Sequence, residues 1–246
     1  MSKNHLYIPP WSVEEFPDIP ERTPIYITLS GNSGVGKSTL LRSISTHIYE
    51  QDNQTIAIDE KSLHHPLLQN LFDKTETYGY PLQINFMIQR VLLVKSWIDK
   101  GFNVIMERSH LEDYIFANFM YKQGYISREK HKVYLSLWNE LMDIAPIPDI
   151  IVYMNFTPDF SLKNLFNDES KGIRPREFPD EKTKEQWING WGEEYKSFID
   201  NLPPKLTDRV VEFNQHMTVE DITNQVINSI KNKQERLCDS EPLFAR

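Results

Sequence analysis

Apolar and polar positions along this chain follow two alternating periods. "IYITLS" (25–30) is an apolar, β-rich run ending at a glycine loop, and the "LLRSISTHIYE" that follows puts Leu40, Leu41, Ile44 and Ile48 on one helical face. "TIAIDE" (55–60) reads as a second strand ending in acids, "FNVIME" (102–107) as a third, "PDIIVYMNF" (148–156) as a fourth and "DRVVEFN" (208–214) as a weaker fifth. Between the second and third, "PLQINFMIQRVLLVKSWIDKG" (81–101) predicts a helix with proline in its first turn and a stop at Gly101. Further helices are expected at about 110–122 and 127–143, over "TPDFSLKNL", and, amphipathic, near 218–231. Strands separated by helices predict an α/β fold with a parallel sheet covered on both faces. The proline-rich, aperiodic residues 1–23 read as an N-terminal arm, 24–235 as one domain and 236–246 as a C-terminal tail.

A chain of 246 residues is long enough for one α/β domain with a substantial core. Its net charge of −8 argues against general binding of nucleic acid or anionic membranes, while leaving room for a locally basic site. The lone cysteine, Cys238, permits no disulfide within the chain and suits a reducing cytoplasm. The first residues lack the apolar core of a signal peptide, and no segment approaches the ~20 apolar residues of a membrane span. The expectation is a cytoplasmic protein.

The glycine loop changes the picture most. Gly31-Asn32-Ser33-Gly34-Val35-Gly36-Lys37-Ser38, continued by Thr39, fits G-x-x-x-x-G-K-[ST] after a strand and before a helix. Glycines let backbone amides turn inward around phosphate oxygens, and the helix N-terminus adds partial positive charge. Lys37 is expected at the β- and γ-phosphates of a nucleoside triphosphate, and the Ser38 hydroxyl on Mg²⁺. GTP switches carry N-K-x-D and D-x-x-G, and neither occurs here. An ATP-driven motor would end a hydrophobic strand in paired carboxylates, whereas the third strand ends in Glu107-Arg108-Ser109. One acid beside an arginine suits handling a phosphoryl group.

Other polar positions are placed to matter. Glu60 and Asp59 end the second strand at the carboxyl edge, where open α/β sheets bind ligands. Gln83 and Arg90, seven apart, share a helical face with Phe86 and Met87 between them, and buried polar groups there require partners.

The motifs "GNSGVGKST", "HPLLQNLFDKTETYGYPLQINFMIQR", "MERSHLEDYIFA", "PDIIVYMNFTPDFSLKNL" and "RPR", in this order, resemble the deoxyribonucleoside kinases of the deoxycytidine, deoxyguanosine and deoxyadenosine type. The resemblance spans Tyr26 to about Leu202. It implies a P-loop kinase fold with a five-stranded parallel sheet, a lid at about 164–182 and a homodimer. It implies ATP as donor, Mg²⁺ as cofactor and a deoxyribonucleoside phosphorylated at its 5′-hydroxyl. By that likeness Glu60, or failing it Asp59, takes the hydroxyl proton. Glu107 helps hold Mg²⁺, and Arg108 contacts the 5′-oxygen and the migrating phosphoryl group. Arg174 and Arg176 belong to the lid over the phosphates, although Asn164, beside Lys163, replaces an arginine usual in the preceding helix. Gln83 binds the base, Phe116 stacks on it, and Arg90 works with an acid that is Asp113 or Glu112, because the motif is one residue short. Phe72 stands where a tyrosine commonly touches the sugar 3′-hydroxyl, with Tyr78 and Tyr80 nearby. Purine deoxynucleosides or deoxycytidine are the favoured acceptors. A nucleoside monophosphate kinase such as a thymidylate kinase, and a non-catalytic P-loop protein, are the alternatives.

Overall fold

The structure, a computed structural model, describes residues 23–239. Strands β1 (Tyr26–Gly31), β2 (Thr55–Ile58), β3 (Asn103–Glu107), β4 (Ile150–Met154) and β5 (Val210–Phe213) form one parallel sheet ordered β2-β3-β1-β4-β5. Leu29 of β1 lies opposite Glu107 of β3, and Gly31 lies opposite Met154 of β4, so the carboxyl ends converge around the glycine loop. β1 is central, and the chain crosses to opposite sides of it before and after β3, the arrangement that opens a crevice at that edge.

Side-chain alternation divides the sheet residues between two cores. Ile27, Leu29, Ile105 and Val152 pack with Leu40 and Ile44 of α1 (Lys37–Gln51) and Val226 of α9 (Val219–Asp239). Tyr26, Val104 and Met106 pack on the other face with Val94 of α3 (Thr75–Ile98). Burial on both faces explains why β1, β3 and β4 read as continuous apolar runs. A further core joins α3 to α4 (His110–Lys122) and α7 (Glu181–Asp200) through Phe86, Phe119, Met120, Trp187 and Trp191. The remaining helices are α2 (Leu68–Asp73), α5 (Arg128–Met142), α6 (Pro158–Ser170) and the short α8 (Pro204–Thr207).

Several boundaries differ from the sequence expectation. α3 begins at Thr75, so Pro81 lies inside it rather than in its first turn. Gly79 is buried against Met120, where an added Cβ would meet the sulfur at 3.1 Å, and the helix runs on through Pro81, which lacks a backbone donor. α3 also stops at Ile98, short of Gly101. β2 stops at Ile58 because Asp59 caps a 3-10 turn, Glu60–Leu63, by accepting from the Lys61 amide at 2.8 Å. α2, α7 and the short α8 are additions. The expected arm up to residue 22 and the tail from residue 240 lie outside the described residues.

Candidate active site

The loop after β1 is shaped by its glycines and tied down by three side chains. Gly34 has φ +81°, and a Cβ there would lie 2.6 Å from the Ser161 carbonyl oxygen, so both conformation and space demand glycine. Asn164 Nδ2 donates to the Gly34 carbonyl at 2.8 Å, Asn32 Nδ2 donates to the Ile188 carbonyl at 2.7 Å, and Arg174 Nη2 donates to Ser33 Oγ at 3.3 Å. Val35 anchors the loop in the core. Gly36 begins α1 with no side-chain cap and no acid in the first turn, leaving the first amides to an outside acceptor. Lys37 Nζ donates to the carbonyls of Gly31 and Asn32 at 3.0 and 2.8 Å. Burial, with nearby Arg108, pulls its ammonium down to about 7. Ser38 is half-buried and Thr39 exposed.

Glu107, at the end of β3, is buried, and its Oε1 has no partner among the described residues. Burial raises its carboxyl, opposed by Lys37 and by a hydrogen bond from Ser38. A hydroxyl and one carboxylate beside the loop fit Mg²⁺, which keeps water and substrate phosphate oxygens as its other ligands. Among the described residues no three His, Cys, Asp or Glu side chains form an all-protein metal cage.

Across from the loop, charged side chains interlock. Arg108 has φ 58°, the one positive value among described non-glycine residues. Such a conformation costs about 1–3 kcal/mol unless surroundings impose it. Here its Nε lies 2.7 Å from Glu60 Oε1, its guanidinium lies 4.6 Å from the Phe116 ring centroid, and Nη1 donates to the Tyr195 hydroxyl. Arg90 Nη2 donates to the same Glu60 oxygen at 3.4 Å, and its Nη1 donates to Asp113 Oδ1 at 3.0 Å. Burial works against the Glu60 carboxylate, but Arg108, Arg90 and Lys37 outweigh it and hold the group well below the usual carboxylate range. Burial pushes the Asp113 carboxyl up to about 7 against the pull of Arg90.

The two acid choices left open by the sequence separate cleanly in space. Asp59 is turned onto its own 3-10 turn, while Glu60 faces the arginines. Asp113 is the partner of Arg90. Glu112 instead completes a capping box with Ser109 and accepts from the Tyr195 hydroxyl at 2.5 Å, so it braces Arg108 from behind.

Glu60, Gln83, Phe86, Arg90, Arg108, Asp113 and Phe116 line one cavity, and Ser33 and Arg174 close its loop end. Aromatic walls with a few convergent polar groups suit a small organic ligand. Gln83 is buried with its Oε1 unpartnered, a state that costs about 1–3 kcal/mol in the absence of a donor. Phe72 also lines the wall and packs on Phe178, with ring centroids 4.6 Å apart, whereas Tyr78 and Tyr80 do not reach it. Arg176 is not gathered in: its side chain is 58% exposed and its ion pair with Glu181 spans 3.9 Å. Lys163 is exposed as well.

Sequence reasoning missed His64, Met120, Glu177 and Trp191 in the wall and Tyr195 behind it. The signal for two of them was present. Trp187, Ile188, Trp191 and Tyr195 recur at helical spacing after Asp180, which caps α7 by accepting from the Thr183 amide at 2.7 Å.

A family profile described as deoxynucleoside kinase matches residues 27–241. The chain is similar to the deoxyadenosine/deoxycytidine kinase of Bacillus subtilis (strain 168), 27% identical over 224 residues that cover 85% of this chain and 95% of that protein. It is also similar to a deoxyguanosine kinase of Dictyostelium discoideum, 23% identical over 211 residues that cover 84% and 68% respectively. Among solved structures, a deoxyadenosine kinase from M. mycoides with the products dCMP and a flexible dCDP bound aligns with a TM-score of 0.66 at 19% identity. That alignment covers 84% of this chain and 98% of the other, and it establishes the shared fold.

Proposed function

The chain belongs to the deoxynucleoside kinase family, and from that premise we propose how its residues divide the work and which nucleosides it takes. The protein is an enzyme that transfers a phosphoryl group from ATP to a deoxyribonucleoside. The acceptor is the 5′-hydroxyl, the product is the deoxynucleoside 5′-monophosphate, and the setting is nucleotide salvage in the cytoplasm by a homodimer.

One observation supports the assignment above others. The same cavity is lined at one end by Ser33 and Arg174 and at the other by Gln83, Arg90 and Asp113, with Glu60 and Arg108 between them. Donor phosphates on the loop and a nucleoside in the pocket therefore meet at Glu60 and Arg108. Glu60 accepts the proton of the 5′-hydroxyl as that oxygen attacks the γ-phosphorus and the bond to the β,γ-bridging oxygen breaks. Before substrate arrives, its two guanidinium contacts keep Glu60 ionised. As Arg108 turns to the phosphoryl oxygens, Glu60 loses that stabilisation and becomes more basic. Loop amides, Lys37, Arg108 and Arg174 carry the charge that builds on the transferring group. Ser38 and Glu107 would hold Mg²⁺, which would supply positive charge to neutralise the donor phosphates. Arg176 joins only if the lid segment rearranges.

On the base side, cytosine and adenine present an amino donor beside a ring acceptor. The unpartnered Gln83 amide oxygen can accept from the first while its amino group donates to the second. Phe116 offers its ring as a stacking surface, and Phe86, 5.7 Å from the Arg90 guanidinium by its centroid, holds that cation in place. The Arg90–Asp113 pair fills the space that a thymine methyl group needs and presents charge to it. Deoxyadenosine, deoxyguanosine and deoxycytidine are therefore the favoured acceptors, with purines ahead.

Substitution of Glu60 by Gln tests the chemical assignment. Glu60→Gln keeps the shape and loses the proton acceptor, so turnover falls about 10²-fold or more while nucleoside binding changes little. Near-normal turnover in this variant would transfer the role to another acid, with Asp59 next in line.

A further inference from the structure

Behind the Arg90–Asp113 pair lie buried polar atoms that no hydrogen bond satisfies. Asp113 uses Oδ1 on Arg90, and its Oδ2 has no partner among the described residues. The Tyr134 hydroxyl is in the same condition, on a side chain with 0% exposure. Tyr134 of α5 packs in one cluster with Met87 of α3 and Ala117 of α4. Met87 lies one turn before Arg90, and Ala117 lies one turn after Asp113, so Tyr134 is wedged between these helices close to where the pair forms. Asp113 and Arg90 are also the two charged groups that its hydroxyl feels most. Unpartnered buried atoms in such proximity are commonly joined by an internal water.

We propose that Tyr134 is a positioning residue for base recognition, its hydroxyl donating through one internal water to Asp113 Oδ2 and so keeping that carboxylate ionised and aligned on Arg90. The inference rests on the reading of Arg90 and Asp113 as the base-recognising pair. Tyr134 touches neither base nor phosphate and acts only through Asp113.

The consequence is a change in pH dependence. Asp113 faces Arg90 from α3, Arg108 from the end of β3 and Glu60 from the 3-10 turn, with Glu112 beside it on α4. Tyr26 of β1 approaches from below, and His110 faces Arg90. Burial and the two neighbouring carboxylates raise the Asp113 carboxyl to about 7, and the two arginines oppose them. A hydrogen bond donated to the carboxylate lowers its pKa, and removing the donor raises it. Pairing with Arg90 needs the ionised form, so nucleoside capture fails as pH falls through this value, and without the Tyr134 donor it fails at a higher pH.

The test measures kcat/KM for deoxyadenosine against pH in the full chain, in Tyr134→Phe and in Asp113→Asn. Tyr134→Phe is expected to move the acid limb upward by about half a pH unit or more. It should also raise the nucleoside KM by a larger factor than it lowers kcat, and hold its melting temperature, because only a hydroxyl is removed. Asp113→Asn is expected to lose the limb. Tyr134→Leu, a second variant without the donor, must move the limb in the same direction. A limb that is absent in Asp113→Asn but unmoved in both Tyr134 variants overturns this inference alone. A limb that persists in Asp113→Asn overturns the reading of the base pocket, and the inference with it.

Discussion

At its loop end the cavity reaches Ser33, one of the consecutive residues Gly31 to Ser38, which work through backbone amides and one ammonium. From its middle to its other end Glu60, Arg90, Arg108 and Asp113, braced from behind by Glu112 and Tyr195, come from five elements and hold one another by ion pairs and hydrogen bonds. The first end is a conformation set by its glycines and tied to the fold by a few hydrogen bonds, such as Asn32 to the Ile188 carbonyl and Arg174 to Ser33. The second is a set of interlocked groups in which each member is held by the others. Loss of one member leaves an uncompensated charge, so stability and selectivity are tied together there and separable at the loop.

The largest effect expected from this contrast is on stability at the base end. Arg90→Met strands Asp113 and half of the Glu60 contact, and should destabilise the fold by about 3–5 kcal/mol in denaturant unfolding. Adding Asp113→Ala removes the stranded charge, so the double variant should recover part of that loss. The double variant should also raise thymidine phosphorylation relative to the other nucleosides. A double variant less stable than Arg90→Met would break the comparison.

Next comes the loop. Lys37→Met removes the ammonium that meets the donor phosphates and should lower turnover by about 10²–10³-fold. Its unfolding midpoint should fall by less than that of Arg90→Met, because the Lys37 ammonium donates only to carbonyl oxygens and burial already disfavours its charge. A Lys37 variant that unfolds as readily as Arg90→Met would show that the loop is as interdependent as the pocket.

The smallest effect sharpens the sugar side. Phe72→Tyr adds one hydroxyl to the cavity wall, worth on the order of 1 kcal/mol if it meets the 3′-hydroxyl. The KM for deoxynucleosides should then fall, with no change for 3′-deoxy analogues. Equal effects on both would leave Phe72 as a packing residue against Phe178.

The same contrast explains what the sequence revealed. The loop was legible because its chemistry is written in one short window that needs glycine at set places, as the φ of +81° at Gly34 shows. The strands were legible from their apolar runs, but not their ends: β2 stops at Ile58 because of a cap that Asp59 makes with its own turn. The partner of Arg90 stayed open between Glu112 and Asp113. One residue along a helix turns a side chain by about 100°, and only tertiary packing decides which acid faces α3. The early start of α3 was hidden because Pro81 looked like a beginning, whereas the helix starts at Thr75 and runs through both Gly79 and Pro81. α7 was missed although its aromatic spacing was visible, and with it went Trp191 and Tyr195, the wall and the brace of the pocket.

If the charged end of the cavity recognises a nucleobase other than thymine, nucleosides must sort accordingly in a competition among deoxyadenosine, deoxyguanosine, deoxycytidine and thymidine at equal concentration, with ATP and Mg²⁺. The expected products are 5′-monophosphates of the first three, with purines ahead, thymidine trailing by roughly 10²-fold, and little ADP when nucleoside is omitted. Thymidine as the preferred acceptor, or ADP release without any nucleoside, would contradict it.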